Sequence, residues 1–354
     1  MLSPTVQILI PATISFLIGI AITPIVTHYL YKYKTWKKHP GKLALDGSVA
    51  EQFNLMHREH EVRAPRMGGI VIWASVLLTT VGVALLPHII ESPIFSKLNF
   101  LSRSETWLPL AALLVGATCG FIDDLLIIRS EAGDGLPLRL RLIIVLALST
   151  VAGLWFYVKL DVTSVSLPYF LPLEIGWLIV PLFVFVSLAL YASGVIDGID
   201  GLSGGVFASI FASYTIIAFM QDQIDIAAFC AAVVGGLLAF LWFNIPPARF
   251  YMSDTGTMAL TLCLAVVAFM TDTIGEGIGV TVLPVVGALL VATVASNVLQ
   301  MVWKRLFGKK LFRIAPLHHH FEALGWPGYK VAMRYWVLSI MFAFIGVITA
   351  LSVH

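Results

Sequence analysis

The sequence predicts an all-α, polytopic membrane protein with ten transmembrane helices and its polar chemistry gathered on one face. Hydrophobic residues make up 59% of the 354 residues and charged ones 12%, with a mean hydropathy of +0.92, a balance foreign to soluble globular domains. Largely apolar windows of about 20 residues, enough to cross a hydrocarbon core of about 30 Å, recur along the chain. The connecting loops share the basic residues very unevenly, which sets an orientation. A single integral membrane domain over 1–354 follows, with no soluble domain, low-complexity linker or strong internal repeat.

The first span, 6–30, has no basic residue before it and is followed by Lys32, Lys34, Lys37, Lys38 and Lys42. It reads as an uncleaved helix rather than a signal peptide. Further spans are expected at 68–90, 107–128, 140–157, 173–193, 203–220, 224–243, 256–271, 279–303 and 333–353. In that alternation, loops 31–67, 129–139, 194–202, 244–255 and 304–332, with Arg141 and Arg334 at span ends, hold 19 of the 22 Lys and Arg residues. The rule that cytoplasmic loops collect positive charge places these loops in the cytoplasm and both termini outside it. Pro246-Pro247 stops a helix from running through loop 244–255. Cys119, Cys230 and Cys263 fall inside spans without paired spacing, so they read as packing residues, not as a disulfide framework or a metal site. The net charge of +2 averages two unlike faces, and no nucleic-acid partner is expected.

Four polar clusters fall on the predicted cytoplasmic side. Phe121-Ile-Asp-Asp-Leu125 puts Asp123 and Asp124 at the exit of the third span, about 100° apart on a helix. Val195-Ile-Asp-Gly-Ile-Asp-Gly-Leu202 carries Asp197 and Asp200. On helical backbone these share a face, whereas a break at Gly198 and Gly201 allows the backbone close to a ligand. Asn244 and Asp254 flank the double proline, and Asp254 opens the eighth span, where the plainer alternative is a helix cap. His318, His319 and His320 form the fourth cluster; a solvated His-rich loop or a tag scar is the bland alternative, but tags sit at termini. Clustered carboxylates with an Asn and few thiols suit a hard cation, Mg²⁺ or Mn²⁺, rather than Zn²⁺. Neighbouring His side chains diverge, so phosphate or sugar contacts suit them better than one zinc ion. With Arg63 and Arg66 ahead of Met67-Gly-Gly69, and Arg139 and Arg141 where the fourth span begins, the set is that of a phosphoryl-transfer site.

Phe121-Ile-Asp-Asp124, Ile196-Asp-Gly-Ile-Asp-Gly-Leu202, Asn244 with Asp254-Thr-Gly256, and Pro316-Leu-His-His-His-Phe-Glu322 resemble, in order and approximate spacing, the polyprenyl-phosphate N-acetylhexosamine-1-phosphate transferases. The similarity runs from about residue 20 onward. The histidine run, with Leu324-Gly-Trp-Pro327 and Arg334-Tyr-Trp336, is similar to the branch that handles phospho-MurNAc-pentapeptide. The resemblance implies an Mg²⁺-dependent enzyme of the bacterial inner membrane, active on its cytoplasmic side in peptidoglycan synthesis. It would move phospho-MurNAc-pentapeptide from UDP-MurNAc-pentapeptide to undecaprenyl phosphate, giving lipid I and UMP; a homodimer stays open. It further implies Asp123 and Asp124 near the lipid phosphate and metal, and Asp254 as the best single metal ligand. Asp197, Asp200, Asn244 and Tyr251 would lie around the nucleotide, with His318 to His320 on the sugar-phosphate side.

The chain departs from that pattern in four places. Gly194 stands for a usual Asn, Ser253 for the Gly before Asp-Thr-Gly, Arg141 for a Lys, and Ala64-Pro-Arg-Met-Gly-Gly69 for Thr-Pro-Thr-Met-Gly-Gly without the usual upstream Lys. Arg keeps the charge of Lys but not its point-donor geometry. The rival readings are a sister transferase using UDP-GlcNAc or a similar UDP-sugar, against which the His-His-His-Phe-Glu form argues, and a transporter, which would hold its carboxylates near the bilayer midplane.

Overall fold

The computed structural model describes residues 3–38, 41, 62, 64–102, 106–130, 133 and 135–352. Its helices are α1 (Pro4–Lys32), α2 (Ile70–Ile89), a short α3 (Pro93–Leu98), α4 (Trp107–Arg129), α5 (Leu138–Lys159), α6 (Ile179–Ser193), α7 (Leu202–Met220) and α8 (Ile224–Asn244). They continue with α9 (Ser253–Met270), α10 (Gly279–Val286), α11 (Ala288–Phe307), α12 (Leu317–Ala323) and α13 (Gly328–Leu351). Among the described residues, nine segments are long and apolar enough to cross a membrane, and α10 with α11 makes a tenth if that pair, bent by 71°, is one span. The protein is a multi-pass, all-α membrane protein.

Helix α9 sits at the centre, with 94% of its membrane window buried, while α1 and α13 bury 28% of theirs. The side-chain chemistry explains the order. Helix α9 carries Thr255, Thr257 and Thr261, all buried, and Thr261 Oγ1 donates back to the Thr257 carbonyl at 2.8 Å, which satisfies a hydroxyl away from water. Outer helices show lipid-facing apolar side chains instead, such as Leu9, Leu17 and Ile25 on α1. Without a hydrophobic drive between helices inside a bilayer, close approach depends on small residues. A Cβ on Gly120 of α4 would collide with the Asp254 carbonyl, and one on Gly116 would strike the Met258 carbonyl. Gly69 meets Gly256 backbone to backbone, and Gly235 of α8 lies on the Ala12 carbonyl of α1.

Three local features differ from the sequence expectation. The ninth span is broken after Val286, where α10 ends at Gly287 and α11 turns away. The histidine loop contains a helix, α12. The fifth span begins later than 173, because Leu173–Glu174 (β2) pairs antiparallel with Ser164–Val165 (β1) in a small hairpin. That hairpin lies at the opposite end of the bundle from the four clusters. Asp272 fixes it there, accepting from Ser166 N and Val280 N, both at 2.8 Å. Burial pushes the Asp272 carboxyl up to about 6, although those N–H groups pull the other way.

Candidate active site

All four clusters meet at one end of the bundle because each lies at the same end of its helix. Helix α4 delivers Asp123 and Asp124 one turn after Gly120, so the contact that needs Gly120 also sets both carboxylates against the start of α9. Both are fully buried, and their partners differ.

Asp124 is saturated. Its Oδ1 accepts from Arg66 Nε at 2.9 Å and pairs with Arg66 Nη2 at 2.8 Å. Its Oδ2 accepts from Ser253 Oγ (2.6 Å), Thr255 N (2.9 Å) and Thr255 Oγ1 (2.6 Å). Asp123 accepts from Leu136 N through Oδ1 at 2.6 Å. Its buried Oδ2 faces Arg141 Nη1 at 3.2 Å yet accepts no hydrogen bond from a described residue. Arg141 also reaches Asp254 Oδ2 at 3.8 Å, and Arg66 Nη2 reaches the same oxygen at 3.5 Å. Burial opposes the Arg66 charge, but Asp124 and Asp254 more than reverse this and raise its pKa.

Asp254 does not cap α9. The N-cap is Met252, without a side-chain bond, and Asp254 occupies the first turn with its carboxylate turned to the two arginines. Ser253 has φ of +54°, a conformation that costs a residue with a side chain about 1–2 kcal/mol and suits the glycine usual there. Its hydrogen bonds offset that cost: Oγ donates to Asp124 and accepts from Met67 N at 2.8 Å, and its N–H donates to Asp197 Oδ2 at 2.8 Å.

The Asp197–Gly201 segment is a turn, so the broken-helix alternative holds. Asp197 also accepts from Ser203 Oγ at 2.6 Å, and burial raises its pKa against these bonds and the pull of Arg66. Asp200 accepts from Ala248 N at 3.1 Å. Asn244 spends both ends of its amide within the fold, accepting from Gly201 N (2.9 Å) and donating to the Phe250 carbonyl (2.8 Å). It clamps the turn to loop 245–252. Tyr251 is held by its backbone, donating to the Pro65 carbonyl and accepting from Gly68 N. The two glycines of the turn serve different ends. Gly201 has φ of +76°, and Gly198 leaves room for the imidazoles, since His319 Nε2 and His318 Nε2 stand 2.5 and 2.8 Å from where its Cβ would be.

The histidines therefore divide. His318 and His319 are buried against Gly198, with His319 Nδ1 bonded to Glu322 Oε2 at 2.7 Å. His320 turns away and accepts from Arg313 N at 3.2 Å. Arg139 is exposed and makes none of these bonds, and Arg63 lies outside the described residues. Sequence reasoning passed over Ser253 and Thr255 as functional, although three hydrogen-bonding side chains in Ser253-Asp-Thr255 at a helix start were the available signal. It also passed over Trp336, whose Nε1 donates to the Gly201 carbonyl at 2.9 Å.

No group of three or more His, Cys, Asp or Glu among the described residues is arranged to hold a metal ion. Asp123 and Asp254 form a pair instead. They repel one another and share Arg141, with one buried oxygen still lacking a hydrogen bond. Two carboxylates suit Mg²⁺, which keeps several waters and takes the rest of its shell from substrate phosphates.

The fold is a bundle of apolar helices with carboxylates and arginines gathered at one end, and the glycosyl transferase family 4 profile, a transferase class, matches residues 106–272. The phospho-N-acetylmuramoyl-pentapeptide-transferase of Geobacillus thermodenitrificans (strain NG80-2) is 31% identical over 350 residues, covering 97% of this chain and 98% of the relative. The enzymes of that name from Geobacillus sp. (strain WCH70) and Bacillus mycoides (strain KBAB4) are 31% and 30% identical over 349 and 346 residues. The chain belongs to the phospho-N-acetylmuramoyl-pentapeptide-transferase family.

Proposed function

We propose that this protein transfers phospho-MurNAc-pentapeptide from UDP-MurNAc-pentapeptide to undecaprenyl phosphate, releasing UMP and forming lipid I, on the cytoplasmic side of the bacterial inner membrane. The observation that carries the reading is the meeting of Asp123, Asp124 and Asp254 with Arg66 and Arg141 beside His318 and His319, in a chain of this family. The acceptor phosphate, with a second pKa near 6, is already largely dianionic at neutral pH. The site therefore needs charge stabilisation and alignment more than a base. Arg141 and Arg66 supply positive charge beside the Asp123–Asp254 pair, and Asp124 holds Arg66 in place. When bound, Mg²⁺ would be held by Asp123 and Asp254 and neutralise charge on the pyrophosphate. Asp197, Asp200 and Asn244 shape the wall on which His318 and His319 meet the sugar-phosphate.

The test is UMP release by purified protein with undecaprenyl phosphate, comparing UDP-MurNAc-pentapeptide with UDP-GlcNAc, with and without Mg²⁺. Turnover of the first donor alone, dependent on Mg²⁺, is expected. Turnover of UDP-GlcNAc alone would transfer the reading to the sister enzymes, and release without any divalent cation would remove the metal.

A further inference from the structure

Beside the histidine helix lies a surface that the phosphate chemistry leaves unused. Phe321 and Trp326 stack with ring centroids 4.9 Å apart and planes 17° from parallel. The Arg334 guanidinium lies over the Trp326 ring at 4.1 Å, and the Lys330 ammonium stands 5.2 Å from the same ring. Lys330 and Arg334 are four residues apart on α13, so they share a face, and both are exposed. Neither forms an ion pair or a side-chain hydrogen bond with a described residue, and Glu322 of α12 is engaged by His319.

This differs in kind from the arginines of the site. Arg66 and Arg141 are matched by carboxylates. An aromatic face orients a cation without neutralising it, so Lys330 and Arg334 keep their charge for an incoming anion at little ordering cost. The surface is also fixed to the site. Phe321 is two residues beyond His319, Gly328 packs against Ile199 of the Asp197–Gly201 turn, and Trp336 donates to the Gly201 carbonyl.

We propose that Phe321, Trp326, Lys330 and Arg334 form the subsite for the peptide of the donor, with the two cations receiving its terminal carboxylate. The inference rests on the function proposed above. A peptide joined to the muramoyl group through its N-terminus carries a free carboxylate at its far end, an anion separate from the pyrophosphate. Recognition of a planar carboxylate by a preoriented guanidinium accounts for the arrangement.

The experiment compares wild type with the Lys330→Gln/Arg334→Gln double variant, following UMP release from UDP-MurNAc-pentapeptide and from peptide-free UDP-MurNAc. Where the peptide-free compound turns over too slowly, its inhibition constant replaces KM. The subsite predicts a rise of about tenfold in KM for the pentapeptide donor at nearly unchanged kcat, the pattern of lost uniform binding, and no change for UDP-MurNAc. Wild-type protein given a pentapeptide donor with its terminal carboxylate amidated should show the same rise, which keeps the test independent of the variant's folding. Equal losses with both donors would assign the cations to a phosphate or lipid headgroup and overturn the subsite alone. So would an unchanged KM for the amidated donor. A wild type that releases no UMP from any donor would overturn the function and the subsite together.

Discussion

Adjacent carboxylates on one helix have unlike surroundings, and their substitutions should fail in unlike ways. Asp124 holds Arg66, Ser253 and Thr255 together. Asp124→Ala leaves a largely buried guanidinium without its main counter-charge, Asp254 remaining at 3.5 Å, a change that costs up to about 3–5 kcal/mol and should appear as a lowered melting temperature in detergent. Asp254→Asn should keep the fold, because a first-turn acid contributes only about 0.3–1 kcal/mol to its helix, while turnover falls by about 10²-fold or more. A normally active Asn variant would take Asp254 out of the chemistry. Among the histidines, His318→Ala and His319→Ala should impair turnover more than His320→Ala, since only the first two face Gly198; equal effects in a kinetic comparison would contradict this division. Asp272, at the far end, bears on pH. Its folded pKa of about 6 exceeds the unfolded value of about 3.9, so the folded state binds the proton more tightly. Its favourable contribution is complete below the unfolded value and is lost as pH rises through about 6. Melting temperatures from pH 7 down to 5 should therefore rise for wild type relative to Asp272→Asn, and parallel curves would refute the assignment.

Helix packing explains both what the sequence disclosed and what it hid. Hydropathy located nearly every span, because lipid-facing helices such as α1 must be apolar over a full crossing. The cluster positions were legible too, since Asp, Asn and His at helix ends stand out in a chain with so few charges. The break between α10 and α11 was not, because both pieces are apolar and Pro284 sits inside α10 without ending it. Nor could spacing reveal that Asn244 acts as an internal clamp or that Asp254 is no cap, since both depend on contacts far away in sequence. The α4–α9 contact offers a direct test. Gly120→Ala must push α4 off the Asp254 carbonyl and should lower both melting temperature and turnover, whereas Gly82→Ala, with nothing within 4 Å of the added carbon, should leave both unchanged. Equal behaviour of the two variants would show that the close approach is dispensable.

At the level of the whole molecule, the two ends differ in chemistry and should differ in access. The site, the basic segment after α11 and the histidine helix share one end; the β1–β2 hairpin and Asp272 share the other. In intact cells, a membrane-impermeant thiol reagent should label Leu171→Cys at the exposed hairpin tip but not Lys309→Cys. Cys230 and Cys263, buried within spans, should contribute no background. The reverse labelling pattern would invert the orientation and remove the cytoplasmic placement of the site.

The saturated Asp124 also bears on how the protein is made. Arg66 emerges from the ribosome before Asp124, whereas Ser253 and Thr255 follow it by 129 and 131 residues. In that interval α5, α6, α7 and α8 are made, and of the three side-chain partners of Asp124 only Arg66 has already been synthesised. Order of synthesis thus separates the one ionic partner of Asp124 from its two hydroxyl partners, whose bonds form only once the central helix α9 is made.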